Sequence, residues 1–294
     1  MPSLDAVLES SHQVVAVLTR PDAPSGRGKK LTASPVAARA AELGLQTLKP
    51  AKPGDPDFVT RLIELAPDCC PVVAYGALLP QRLLDIPAQG WINLHFSVLP
   101  AWRGAAPVQH AVLAGDPTTG ATTFRIVLEL DAGPTFASIT EPIRVGDTSG
   151  DLLHRLSVSG ARLLVDTLDA IESGVQPMPQ PDAEVSYASK IAVEDAEIDW
   201  TQPADRIDRL IRGCAPAPGA WTTFQGERFK INSARIAAQP LGPGVLQVTK
   251  RSVQVGTGTR AIELGDVQAQ GKKPMAAADW ARGVSFGAAP SLGS

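Results

Sequence analysis

Asn93 and His95 stand two residues apart in Ile92-Asn93-Leu94-His95-Phe96-Ser97, a run otherwise built mostly from apolar side chains. On a strand successive side chains alternate between faces, so the amide and the imidazole point one way while Leu94 and Phe96 pack on the other side. An amide donates hydrogen bonds without titrating, and an imidazole both donates and moves protons near neutral pH. The two together suit a reaction in which a carbonyl oxygen gains negative charge and a nitrogen changes its protonation. They also fall near the carboxyl end of their strand, where open parallel sheets collect ligands. A lone Asn-x-His is more often a pair satisfied by backbone at a strand end, and both readings stand on these two residues alone.

The elements that must position the pair alternate along the chain. Strand-length runs fall at 12–19, 69–75 and 91–97, and helical patterns at 35–44, 57–65, 80–84 and 107–114. Ser34-Pro35 reads as an N-cap followed by proline at the first helical position. Strand, helix, strand, helix predicts an α/β domain: a Rossmann-like, mostly parallel sheet with helices on both faces. Strands at 122–130 and 135–145 are joined by Asp131-Ala132-Gly133-Pro134, and a long amphipathic helix fills 148–174. The "PMPQPD" of residues 177–182 has linker composition, so the domain boundary is expected there. Short runs at 228–231, 244–248, 252–255 and 261–264, broken by Gly and Pro, suggest a small OB-like β-barrel. The expected division is 1–175 for the catalytic domain, 176–190 for the linker and 191–294 for the barrel.

Bulk composition narrows the function classes. A chain of 294 residues, 44% hydrophobic, can bury a core in each of two domains. Its net charge of -3 excludes coating of nucleic acid by charge alone and confines any RNA contact to local basic patches. No apolar run has membrane-spanning length and no leader pattern opens the chain, so a cytoplasmic protein without a membrane partner is expected. Cys69, Cys70 and Cys214 give neither a disulfide framework nor a metal-ligand spacing; no metal is implied.

Downstream of the pair come Leu99-Pro100, Arg103-Gly104 and Pro107, then Leu130-Asp131-Ala132-Gly133-Pro134 at the end of another strand. With "VVAYGALLP" (72–80), "WRGAAPVQ" (102–109) and "GKKPM" (271–275), these stretches resemble the methionyl-tRNA formyltransferases, within the formyltetrahydrofolate-dependent transferases, over nearly the whole chain. The resemblance implies Asn93, His95 and Asp131 as the catalytic group, and Ser97, Val98, Leu99 and Pro100 as the segment lining the folate site. It implies 10-formyltetrahydrofolate as the formyl donor and methionyl initiator tRNA as the acceptor, in translation initiation by a monomer. The "GRGKK" segment is similar to the family's basic loop near the acceptor stem, which puts Arg27, Lys29 and Lys30 on the tRNA; a solvated surface loop is the other reading. Lys272 and Lys273 are further candidates for phosphate contacts.

The chemistry fits these residue types. An amine attacking a formyl carbon gives a tetrahedral intermediate whose oxygen gains charge and whose nitrogen must lose a proton. Asn93 would donate to that oxygen. His95 would donate beside it or pass a proton to the leaving nitrogen, and Asp131 would raise the imidazole pKa and take the amine proton directly or through water. Neither Ser97 nor Cys69-Cys70 has the neighbouring base or cation of an activated nucleophile.

The chain departs from the family pattern in three places. It begins at Met1-Pro2-Ser3-Leu4, inside a helix before which the family has a strand and a Gly-Thr-Pro loop, so a central strand is expected to be missing from the chain as read. Phe96 stands where some relatives have Gly, and Cys214-Ala215-Pro216-Ala217-Pro218 differs from the usual proline segment. Two rival functions remain at this level: formyl transfer to a small amine, and non-catalytic RNA binding.

Overall fold

The computed structural model describes residues 1–25, 28 and 30–293. The chain forms two compact units, each discontinuous in sequence: 1–105 with 119–141 and 154–188, and 106–118 with 142–153 and 189–294.

In the first unit the strand Trp91–His95 is central. It pairs in parallel with Cys70–Val72 and antiparallel with Thr118–Arg125, beyond which lies Thr135–Pro142. A second parallel pair, Val17–Leu18 with Thr47–Leu48, forms its own two-stranded sheet. Leu18 and Leu48 pack on the same apolar cluster as Cys70 and Val72, around Phe58, Leu62, Leu83 and Trp91. The sheet is therefore mixed, with its parallel pairs in two pieces, and is covered by helices as the alternation predicted.

Side-chain alternation sorts the strand's two faces. Ile92 packs with Leu164 and Ile171 of the long helix Ser149–Glu172. Gly160 of that helix lets Leu94 and Phe96 approach, since a Cβ there would stand 3.1 and 3.5 Å from them. Trp91, one residue out of phase, faces the helices Pro56–Leu65 and Gln81–Leu84, and its indole donates to the Leu83 carbonyl at 2.7 Å. Asn93 and His95 follow Trp91 in phase.

The second unit has two four-stranded sheets. One runs in the order Trp221–Phe224, Glu227–Ile231, Asp266–Ala269, Met275–Ala276, and the other Ala234–Ile236, Ile262–Leu264, Val253–Val255, Leu246–Val248. All the pairings in both sheets are antiparallel. They share one core with the helix Ala204–Gly213, including Ile207, Phe229, Ile231, Ile262 and Trp280.

Several elements differ in extent from the sequence reading. The first strand pairs only over Val17–Leu18, and Val15 upstream of it is 40% exposed. An antiparallel hairpin, Ala23–Ser25 with Lys30–Thr32, forms in a stretch where the sequence pattern predicts no strand. Residues 176–188 are held along the first unit: Met178 exchanges two backbone hydrogen bonds with Thr135, at 2.7 and 2.8 Å, and Tyr187–Ala188 runs parallel to Arg103–Gly104.

Candidate active site

His95 ends its strand with a side chain only 6% exposed. Its Nε2 lies 2.8 Å from the Trp102 carbonyl oxygen. A carbonyl only accepts, so Nε2 carries a hydrogen and the neutral ring keeps its lone pair on Nδ1. That atom faces Asp131, with 3.7 Å between Nδ1 and Oδ2. The Phe124 ring stands edge-on to the imidazole at 6.3 Å. Burial lowers the His95 pKa below its ordinary value; the Asp131 charge, which sequence reasoning expected to raise it, does act upward, as does the Trp102 carbonyl, but desolvation outweighs both. The resting imidazole is therefore neutral, with an unprotonated Nδ1 toward the carboxylate.

Asp131 reaches this position through a sharp turn. Its φ is +48°, in the left-handed region that Asp tolerates better than most residues. Oδ2 accepts the Gly104 backbone N–H at 2.8 Å, which fixes the carboxylate toward His95. Gly104 cannot be replaced without disturbance, because its φ is +127° and a Cβ would come within 2.5 Å of the Ala188 carbonyl. Asn93 lies between Val72 and Phe124 in the sheet register. It is half-buried, and among the described residues its side-chain amide makes no hydrogen bond.

The segment following His95 folds against the neighbouring strand. Thr122, paired with His95 across the sheet, donates its hydroxyl to the Ser97 carbonyl at 2.7 Å and accepts the Leu99 N–H at 3.1 Å. The Ser97 hydroxyl donates to the Ala101 carbonyl at 2.6 Å and is fully buried, so its polarity serves the loop itself. Leu99 and Pro100 are buried and Val98 is half-buried.

The structure thus gathers Asn93, His95, Asp131 and the 97–100 segment around one strand end. Lys30 is exposed on the hairpin, while Arg27 and Lys29 lie outside the described residues. Sequence reasoning missed Thr122, Gly104 and Gln180. The signal for Gly104 was present in a glycine beside the candidate motif; the other two gave none, since their partners are remote in the chain. Cys69 and Cys70 are pushed up to about 12 by burial, and Cys214 to about 11, so none is a poised nucleophile. Elsewhere His12, Asp169 and Glu172 bring three ligand atoms within 4.8 Å of one another, His12 Nε2 already bonding Asp169 Oδ1 at 3.0 Å. Among the described residues no helix is long and apolar enough to cross a membrane.

An amide, an imidazole and a carboxylate gathered at one strand end of an α/β sheet suit the chemistry of a group-transfer enzyme acting at a carbonyl carbon. The chain belongs to the formyl transferase family, which it matches over residues 2–168, with the family's C-terminal domain matched over residues 190–285. It is 62% identical to a methionyl-tRNA formyltransferase of Streptomyces coelicolor over 292 residues, 97% of this chain and 93% of that protein. A methionyl-tRNA formyltransferase of a Nocardioides species is 63% identical over 289 residues, 97% of this chain and 92% of that protein. Among solved structures, the sugar 3N-formyl transferase WlaRD, determined with dTDP and 5-N-formyl-THF, superposes with a TM-score of 0.65 at 17% identity, covering 92% of this chain and 94% of that one. HypX of Aquifex aeolicus in complex with tetrahydrofolic acid gives 0.64 at 19% identity, covering 82% of this chain; the match spans only 43% of HypX. These two establish the fold.

Proposed function

We propose that the chain transfers the formyl group of 10-formyltetrahydrofolate to the amino group of methionyl initiator tRNA. Relatives named as methionyl-tRNA formyltransferases support formyl transfer to a methionyl-tRNA acceptor. The observation that carries the mechanism is the arrangement of His95, with Nε2 bonded to the Trp102 carbonyl and Nδ1 3.7 Å from Asp131 Oδ2. That separation is too long for a direct hydrogen bond, yet a nitrogen or water about 2.8 Å from each atom fits between them.

The folate co-substrate supplies an activated formyl amide. Asn93, with its amide uncommitted, donates to the formyl oxygen as it becomes an oxyanion, a contact that strengthens as charge develops. Nδ1 of neutral His95 takes the proton released when the attacking amine becomes bonded to the formyl carbon. Asp131 stabilises the imidazolium so formed, and the same proton then passes to the folate nitrogen as the carbon–nitrogen bond breaks. Protons balance without leaving the site. Since Nε2 is held by a carbonyl, Nδ1 is the atom that moves the proton. Ser97, Val98, Leu99 and Pro100 form the folate-side wall, and the reading calls for no metal.

The acceptor is assigned to tRNA through Arg27, Lys29 and Lys30, cations clustered among glycines in the sequence of a chain of net charge -3. Residues 191–294 supply a second RNA-facing surface, and the active species is taken to be a cytoplasmic monomer. Single-turnover transfer from a radiolabelled formyl donor to charged initiator tRNA tests the reading: His95→Ala abolishes transfer while tRNA still binds. Binding without transfer by the unaltered protein would replace it with the RNA-binding alternative.

A further inference from the structure

Asp131 sits in a left-handed conformation at the tip of a turn, which persists only when its surroundings hold it. The holding group lies 49 residues away. Gln180 donates through Nε2 to the Asp131 carbonyl and to the Gly133 carbonyl, both at 2.8 Å. Its Oε1 accepts from Arg103 Nε at 3.2 Å and Nη2 at 2.8 Å. The Arg103 side chain is 9% exposed, so this fork is made away from bulk water. The two carbonyls and the guanidinium leave one orientation for the amide, nitrogen toward the turn and oxygen toward the arginine.

These contacts close a ring. Gly104 donates its N–H to the Asp131 carboxylate, while its neighbour Arg103 grips Gln180, which grips the Asp131 backbone. Side chain and backbone of Asp131 are thereby referred to one two-residue strand by separate routes. Gln180 is itself pinned on both sides, by the Met178–Thr135 exchange and by Ser186, whose hydroxyl accepts the Trp102 N–H at 2.9 Å. Trp102 in turn offers the carbonyl that fixes His95. We infer that Gln180 is a positioning residue for the transfer reaction, setting the distance between Asp131 and His95. The inference rests on the catalytic reading of that pair given above.

Only a glutamine meets all the demands of this place. Glutamate keeps the acceptor for Arg103 but cannot donate to two carbonyls, and leucine of similar size does neither. Gln180→Leu and Gln180→Glu are compared with the parent in single-turnover transfer, alone and combined with Asp131→Asn, with binding of 5-formyltetrahydrofolate as the measure of an intact site. Both Gln180 variants are expected to transfer about ten- to a hundredfold more slowly, to bind the unreactive folate within about twofold of the parent, and to lose activity at lower pH. Added to Asp131→Asn, either change has little further effect, because both act through one carboxylate. Parental rates in the Gln180 variants, a loss as large in the Asp131→Asn background as in the parent, or a fall in folate binding that matches the fall in rate would each overturn the positioning role. An Asp131→Asn protein transferring at the parental rate would instead overturn the catalytic reading beneath it.

Discussion

Thr122→Val gives the sharpest link between stability and substrate binding. The side chain is 2% exposed, and its hydroxyl bridges the Ser97 carbonyl and the Leu99 amide across the sheet. Valine nearly preserves the shape but removes both bonds, leaving a carbonyl and an N–H without partners in a segment where Ser97 is fully buried and Leu99 is 8% exposed. Each orphaned group costs about 1–3 kcal/mol, offset by about 0.8 kcal/mol for the added buried methyl. The net expectation is a loss of about 1–5 kcal/mol, read as a lower urea midpoint for the transition of the unit carrying residue 122. The 97–100 segment would no longer be held, so KM for the formyl donor rises several-fold while KM for tRNA does not move. Thr122→Ser, which keeps the hydroxyl, restores most of both properties. A loss under about 0.5 kcal/mol together with an unchanged folate KM would refute the assignment of this hydroxyl as the clamp on the folate-side wall.

Other consequences follow from the same geometry. Since burial lowers the His95 pKa in the folded protein, the unfolded chain binds that proton at higher pH, near its ordinary value of about 6.5. This contribution to stability is complete above that value and declines as pH falls toward the folded value, at no more than about 1.4 kcal/mol per pH unit; His95→Gln should flatten this part of a urea-midpoint profile against pH. With thiol pKa values of about 12, 12 and 11, iodoacetamide at neutral pH should label Cys69, Cys70 and Cys214 slowly in the native protein and quickly after denaturation, as mass spectrometry would show. Replacing Arg27, Lys29 and Lys30 with alanine should weaken tRNA binding and reduce its salt slope by up to about 3, leaving folate binding unchanged; a slope equal to the parent's would remove these cations from the RNA contact.

What the sequence disclosed depended on how local each feature is. Asn93 and His95 were legible because alternation along a single strand puts them on one face, and the structure has Ile92 and Leu94 against the long helix as that alternation requires. The long helix itself, read at 148–174 and found as Ser149–Glu172, was legible from its amphipathic period. Asp131 emerged only through resemblance, since an aspartate before Gly-Pro is an ordinary turn residue until the fold brings it to His95. Gln180 was hidden more deeply. In "PMPQPD" a polar side chain among prolines reads as solvated linker, and its partners lie 77, 49 and 47 residues away. The occupation of His95 Nε2 by a backbone carbonyl was likewise invisible, because carbonyl direction depends on the positive φ of Trp102 and on no side-chain type.

A proton moved by His95 Nδ1 under the influence of the Asp131 carboxylate leaves its signature in the pH dependence of single-turnover transfer. In the parent the rate should show an acid break as His95 protonates, beyond the limb due to the substrate amine. In Asp131→Asn the maximal rate should fall by about 10²–10⁴-fold, and the break should move to lower pH, because the charge that raises the imidazole pKa is gone. A variant profile that keeps the parental break, with a rate within twofold of the parent, would take Asp131 out of the proton path.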